Sequence, residues 1–354
     1  MKVVIAPDSF KGSISNLDAA IAIAEGWRAV RPADELILKP MADGGEGTLE
    51  TIALQNSEAL RISCNLAHDC FWLLLSDGTA YVELASICGL TLQEKLDPMR
   101  SHTYELGRVL RQIAGDSRVS KIILSVGGSA STDGGAGLLM ALGARLESTF
   151  GGEIELGGAG LATLSKIDTG GVIAAPIAGV TCLSDVTNPL LGATGSAAIY
   201  SPQKGANPEQ VFELARALQR FHEVSGHKDF PGAGAAGGTP YGLSIAWDVE
   251  MKSGALAIAQ IIGLPEAINA ADLVITGEGK LDEQSDYGKV VGTIAELARK
   301  NDKSVMYCVG ASEIEMGERG VALIDIAPSL NDAISDPHRW LIQAGTELAL
   351  RVKN

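Results

Sequence analysis

An acid followed by glycines occurs twice in near copy, as Asp43-Gly44-Gly45-Glu46-Gly47 and Asp133-Gly134-Gly135-Ala136-Gly137. Glycines let a backbone come close to a ligand, and the N-terminus of a following helix offers free N–H groups to an anion. A carboxylate at such a place takes a proton from a hydroxyl or holds Mg²⁺. Singly, each loop is also a tight turn with a capping acid. Three further segments extend the pattern. In Asp8-Ser9-Phe10-Lys11-Gly12-Ser13 the acid would orient or deprotonate a hydroxyl, and the lysine is a point charge for a carboxylate or phosphate. In Ser184-Asp185-Val186-Thr187-Asn188-Pro189, Asp185 and Asn188 suit Mg²⁺ and phosphate oxygens, and equally an Asx turn before the proline. Thr276-Gly277-Glu278-Gly279-Lys280-Leu281-Asp282 brings two more acids.

The elements around these segments place them at strand ends. Lys2 to Ala6 is an apolar run that predicts a buried parallel strand, and Ser15 predicts the cap of a helix from about Asn16 to Val30. Glu35 to Leu38 predicts the next strand, and Thr48 opens another helix after the first acid–glycine loop. This is strand, loop and helix twice over, the start of a doubly wound sheet, in which ligands bind beyond the carboxyl ends of strands. Leu60–Ser63, Phe71–Leu75 and Tyr81–Ala85 predict a meander and hence a second, mixed region. A helix near Thr103–Ala114 leads to the strand Lys121–Val126, the loop Gly127–Gly137 and a helix Leu138–Leu146, and Val180–Leu183 is another strand. Asp272–Ile275, Ser304–Val309 and Ala322–Ile326 predict strands, and Val290–Arg299 and Arg339–Val352 helices. Both ends of the chain then form one α/β domain, residues 1–60 with 271–354. Residues 61–270 form an inserted mixed α/β domain, with the active site expected in the cleft between the two.

Composition removes several classes of function. Hydrophobic residues make up 46% and charged residues 20%, which suits a globular fold and not a disordered chain. With 43 acidic against 28 basic residues the net charge is −15, so phosphate-backbone repulsion argues against a nucleic-acid partner. An anionic nucleotide would have to arrive as its Mg²⁺ complex. The five cysteines, an odd count without a CxxC pair, read as reduced thiols, and Cys64, His68 and Cys70 fit no common zinc spacing. No apolar run reaches the roughly 18 residues of a membrane span, and the start of the chain does not read as a signal peptide. A cytoplasmic protein without a membrane partner is expected, with a homodimer left open.

Gly232-Ala233-Gly234-Ala235-Ala236-Gly237 matches GxGxxG, but no strand precedes it and no acid ends a second strand, so dinucleotide binding is disfavoured. Thr239-Pro240 opens a helix directly after it, which leaves an anion cradle, with Gln203-Lys204-Gly205 as a further phosphate contact. There is no GxxxxGK[ST], protein-kinase or GxSxG motif, and the five histidines lie outside the acid–glycine loops.

Taken in order, the segments APDSFKGSIS from Ala6, PMADGGEGT from Pro40, VGGSASTDGGAG from Val126, SDVTNPLLG from Ser184, SPQKGA from Ser201, PGAGAAGG from Pro231 and LVITGEGKLDEQS from Leu273 resemble the type I glycerate kinase family. The resemblance implies ATP-dependent phosphorylation of D-glycerate, with bacterial members similar in giving the 2-phosphate. It also implies a discontinuous flavodoxin-like domain carrying an inserted domain. The chain departs from the family at Cys64–Asp69, at Arg100–Leu106, where His102 and Tyr104 replace glycines, and at Tyr287, where a His is common. A kinase of a related small hydroxy acid is the alternative these departures raise, and a non-catalytic nucleotide or acid sensor is another.

Residue chemistry then assigns expected roles. Asp8, Ser9, Lys11, Asp43 and Asp133 are the catalytic candidates, with Asp43 or Asp133 as proton acceptor. Gly44, Gly45, Gly127, Gly128, Ser129, Gly134, Gly135, Asn188, Lys204, Gly234, Gly237 and Gly238 would hold substrate and phosphates. Asp185, Glu278 and Asp282 would hold Mg²⁺.

Overall fold

The computed structural model describes residues 1–282 and 290–352. Tyr287 lies outside the described residues. The chain divides into two units. One comprises Met1–Asp43, Glu50–Asn56 and Ser253–Asn354, and the other Gly44–Leu49 and Ser57–Lys252.

The first unit is built on a five-stranded parallel sheet in the order Gly320–Ala322, Ser304–Val309, Leu273–Gly277, Lys2–Pro7, Glu35–Leu38. The central strands are apolar without alternation, as burial on both faces requires, and Val3, Val4, Ile5 and Ala6 are all fully buried. Alternate residues Val3, Ile5, Leu273, Ile275, Met306 and Cys308 share a core with helices Asn16–Val30 and Pro337–Arg351. Those two helices touch backbone to backbone. A Cβ on Gly26 would run into the Ile342 carbonyl, and Thr346 Oγ1 donates to the Gly26 carbonyl at 3.2 Å. Ser15 caps the first helix through the Asp18 N–H, as its position predicted. Residues 322–326, expected to be a strand, are instead the end of strand Gly320–Ala322 followed by the short helix Leu323–Ile326. Ladder pairing stops at Ala322, and the chain turns so that Leu323 is buried while Ile324 is not.

The second unit carries a six-stranded mixed sheet in the order Val249–Lys252, Val180–Leu183, Lys121–Ser125, Thr79–Glu83, Phe71–Leu74, Leu60–Ser63. The first four strands are parallel and the last two join antiparallel, so the predicted meander is the edge of a larger sheet. Helices Tyr104–Ala114 and Ala136–Leu142 cross closely at Gly107, where a Cβ would lie 2.7 Å from the Ala141 Cβ. The helix expected at 138–146 ends at Leu142, where Gly143 takes a left-handed conformation and strand Arg145–Ser148 begins. A second core in this unit gathers Leu214, Leu218 and Phe221 of helix Pro208–Ser225 around Tyr241.

Candidate active site

In the first unit the acids of three segments meet at the carboxyl edge of the parallel sheet. Asp8 follows strand Lys2–Pro7, Glu278 follows Leu273–Gly277, and Asp43 ends the segment after Glu35–Leu38. The Asp8 N–H donates to the Gly277 carbonyl at 2.8 Å, which extends the ladder between the first two. Asp8, Lys11, Asp43, Glu278 and Asp282 line one cavity of about 470 Å³. Lys11 Nζ donates to Asp43 Oδ2 at 3.3 Å, and its pKa is raised, first by the Asp43 charge. Asp8 is 8% exposed and accepts from the Ser9 N–H at 2.7 Å. Burial, reinforced by the Asp43 charge, pushes its carboxyl up to about 7. Ser9 lines the same cavity. Each of these residues follows from sequence reasoning, and the fold brings them together.

The second unit treats its acid–glycine loop differently. Asp133 is fully buried and accepts four hydrogen bonds. Its Oδ2 takes the Thr103 N–H at 2.9 Å, the Thr103 hydroxyl at 2.8 Å and the Gly137 N–H at 3.2 Å, and its Oδ1 takes the Gly135 N–H at 3.1 Å. Thr103 Oγ1 in turn accepts from the Leu138 N–H at 2.9 Å. Asp133 thus joins the start of helix Tyr104–Ala114 to the start of helix Ala136–Leu142. This argues against its expected role as proton acceptor: the side chain is enclosed, with three donors on Oδ2 and the Gly135 N–H on Oδ1. The altered segment at Arg100–Leu106 holds Thr103, and His102 Nδ1 accepts from the Tyr104 N–H at 3.3 Å, so part of this segment serves the same junction.

The glycines expected to cradle phosphate need a similar correction. Gly44, Gly45, Gly134, Gly135, Gly234, Gly237 and Gly238 are buried; a Cβ on Gly135, Gly234, Gly237 or Gly238 would meet neighbouring backbone, and one on Gly134 would meet the Phe221 and Leu218 side chains. A Cβ on Gly237, whose φ is +72°, would run into the Ser131 carbonyl and lie 2.9 Å from Thr132 Cα. The Gly134 N–H donates to the Gly237 carbonyl at 2.8 Å, so these two loops are stitched together. Gly127 abuts Gly45, and its N–H donates to the Gly44 carbonyl at 3.0 Å. Gly127 is half-buried and Gly128 is exposed.

Lys204 is 2% exposed, with Nζ donating to Ser129 Oγ at 2.8 Å and to the Ser131 carbonyl. Burial brings its pKa down to about 7. Lys204 and Ser129 therefore brace the loop from inside and do not present a charge to a phosphate. Asn188 is likewise engaged, donating to the Thr194 carbonyl at 2.8 Å and accepting from the Tyr200 hydroxyl at 2.6 Å. Among the described residues no group of three or more His, Cys, Asp or Glu side chains is placed to hold a metal ion. Of the expected set, Glu278 and Asp282 belong to the first unit and Asp185 to the second. Cys64, His68 and Cys70 form no metal group either, and all five thiols are free.

Glu83 was not foreseen. It ends strand Thr79–Glu83, is 5% exposed and accepts from the Leu49 N–H at 3.1 Å, and burial pushes it up to about 7. The signal was an acid closing a strand that is otherwise buried throughout.

The sequence matches the glycerate kinase family over residues 3–354. It is 40% identical over 334 residues to glycerate 2-kinase of Escherichia coli K12, covering 90% of this chain and 87% of that protein. It is 34% identical over 377 residues to a glycerate kinase of Bacillus subtilis, covering all of this chain and 98% of that one. A crystal structure described as glycerate kinase 2 from Salmonella typhimurium LT2 superimposes with a TM-score of 0.79 at 34% identity, covering 99% of this chain and 97% of that one. The family match runs through both units, and on that ground the chain belongs to the glycerate kinase family of phosphotransferases.

Proposed function

We propose that this glycerate kinase transfers the γ-phosphoryl group of ATP, bound as its Mg²⁺ complex, to the 2-hydroxyl of D-glycerate, giving 2-phosphoglycerate and ADP. The observation that carries the reading is the meeting of Asp8, Lys11, Asp43 and Glu278 on one cavity at the carboxyl edge of a parallel sheet. The strand order, in chain numbering within this unit 2-1-3-4-5, supports the flavodoxin-like assignment, where ligands bind at that edge. The 2-phosphate is supported by the name of the Escherichia coli relative. Free thiols and the absence, among the described residues, of any helix long and apolar enough to cross a membrane accord with a cytoplasmic enzyme.

Phosphoryl transfer asks a protein for positioning and charge neutralisation more than for covalent chemistry. Asp8 is placed to accept the proton of the attacking hydroxyl. Asp8 and Asp43 both line the cavity, but Asp43 is tied to Lys11, and Asp133 is enclosed. Lys11 offsets negative charge on the transferring group. The donor set suits Mg²⁺: carboxylate oxygens are hard ligands, and the mutual repulsion of Asp8, Asp43 and Glu278 is what a cation would relieve. Glu278 and Asp282 would hold it together with phosphate oxygens, and when bound it would supply charge neutralisation on the phosphates. A cage of protein ligands is not required, because Mg²⁺ usually takes one or two carboxylates besides the phosphates. Gly127 and Gly128 keep accessible backbone for an anion in the second unit.

The test is turnover of D-glycerate with ATP, the product being passed to enolase with and without phosphoglycerate mutase. Consumption without the mutase identifies the 2-phosphate. Consumption only with it places the phosphate on the other hydroxyl, and no ADP release removes the kinase reading. Asp8→Asn should lower kcat by about 10²- to 10⁴-fold, the range for losing a general base.

A further inference from the structure

The cavity that holds Asp8 has a second end of opposite character. Leu323, Ile324, Leu330, Ala333, Ile334 and Pro337 line it. They come from the short helices Leu323–Ile326 and Leu330–Ser335 and the start of helix Pro337–Arg351. Three of these side chains are large, apolar and open to solvent: Ile324 is 38% exposed, Ile334 51% and Leu330 61%. Single exposed apolar residues are ordinary, but several converging on one concavity mark a binding surface. Gly279, Gly310 and Ala311 also line the cavity and put no large side chain into it. The Ile324 N–H donates to the Gly310 carbonyl at 3.1 Å, so the apolar end is anchored to the strand edge that carries the acids.

We infer that this apolar end binds the purine base of the nucleotide, with the ribose over Gly310 and Ala311 and the phosphates directed to Lys11 and the carboxylates. The inference rests on the kinase reading above and assigns residues that carry no role in it. A cavity of about 470 Å³ lies within the usual size of a small-molecule site. A flat, largely apolar base matches Leu, Ile and Pro side chains. A magnesium–phosphate complex matches the mixed charges at the other end, where a second protein copy would have to bury Asp8, Glu278 and Lys11 in an interface. The site is recruited from loop and short-helix segments and not from a phosphate-binding glycine motif, which is why no nucleotide signature stands in the sequence.

The experiment uses the full-length enzyme and magnesium adenosine 5′-(β,γ-imido)triphosphate, with affinity measured by calorimetry and KM for each substrate measured separately. Ile334→Asp and Leu330→Asp change exposed side chains and keep the fold, which circular dichroism verifies, and Ile334→Ala serves as a milder companion. Each Asp variant should weaken the analogue at least about 10-fold and raise KM for ATP similarly, with KM for glycerate within about twofold. Unchanged nucleotide affinity in both Asp variants overturns the inference. So does a rise in KM for glycerate alone, or a change of oligomeric state at unchanged nucleotide affinity. Because binding is read without turnover, failure of the kinase reading appears separately, as wild-type enzyme that binds the analogue and releases no ADP.

Discussion

Replacing Asp133 by Asn separates a structural carboxylate from a chemical one. The side chain is fully buried and accepts from the Thr103 N–H, the Thr103 hydroxyl, the Gly135 N–H and the Gly137 N–H. An Asn oxygen placed where Oδ2 stands keeps three donors, and its NH₂ then faces the Gly135 N–H. One charge-assisted bond, about 1.5–3 kcal/mol, is lost outright. The other three fall from charged to neutral acceptor, roughly 1 kcal/mol each. Removing a buried charge offsets part of this. The net cost is about 3 kcal/mol, a sizeable part of a typical stability of about 5–15 kcal/mol. The assay is urea unfolding followed by tryptophan fluorescence. With slopes of about 1–3 kcal/mol/M, the transition of this unit should move down by about 1 M or more. Thr103→Val removes one of the same bonds and leaves the buried Leu138 N–H without its acceptor, so it should reproduce most of the loss. If Asp133→Asn unfolded at the wild-type denaturant concentration yet lost turnover by 10³-fold, Asp133 would be acting on substrate and the structural reading would be wrong.

Glu83, whose buried carboxyl sits near pKa 7 against an ordinary 4.5, binds its proton more tightly when folded, so its stabilisation is complete below about 4.5 and fades as pH rises through 7. Glu83→Gln should therefore gain on wild type by about 1–3 kcal/mol between pH 5 and pH 8 in urea titrations, and equal pH profiles would contradict the assignment. Lys204 has the opposite sign: with its pKa near 7 against 10.5, the unfolded chain binds more protons between those values, and wild-type stability relative to Lys204→Met should rise with pH across that window. Gly237→Ala must fit a Cβ at φ +72° against the Ser131 carbonyl and should cost about 3 kcal/mol or more, seen as a lower melting temperature or as lost soluble protein.

Legibility in the sequence followed how local each cause is. Strands Lys2–Pro7 and Leu273–Gly277 are continuous apolar runs, and a central parallel strand has no other composition open to it. Ser15 and the apolar spacing after it announce helix Asn16–Val30 within a few residues. Loops that follow such strands fall at the sheet's carboxyl edge, which is why Asp8, Ser9, Lys11, Asp43 and Glu278 were found together. The apolar end of the same cavity was not legible. Residues 322–326 have the composition of a strand, and only the end of ladder pairing at Ala322 turns Ile324 out toward the cavity. Glu83 was hidden for a related reason: its surroundings come from Gly47–Leu49, more than thirty residues away.

The two acid–glycine loops show how far a motif can carry chemistry. Their sequences are nearly interchangeable, and each follows a strand of a parallel array. What separates them is supplied from elsewhere in the chain. Opposite Asp133 stands Thr103, whose N–H and hydroxyl both point at the carboxylate, and over Gly134 lies Gly237, whose carbonyl accepts the Gly134 N–H. Enclosure follows, and the hydrogen bonds of that carboxylate go to protein. Opposite Asp43 stands a cavity, and the partner it meets is Lys11, whose side chain is 76% exposed. A carboxylate with an accessible cation beside it, near a second carboxyl driven up to about 7, has both charge and proton to exchange with a ligand. Thus an acid and its glycines mark a tight approach of backbone to something. Whether that is another loop, as at Gly237, or an open cavity, as at Asp43, is settled by residues the motif does not contain.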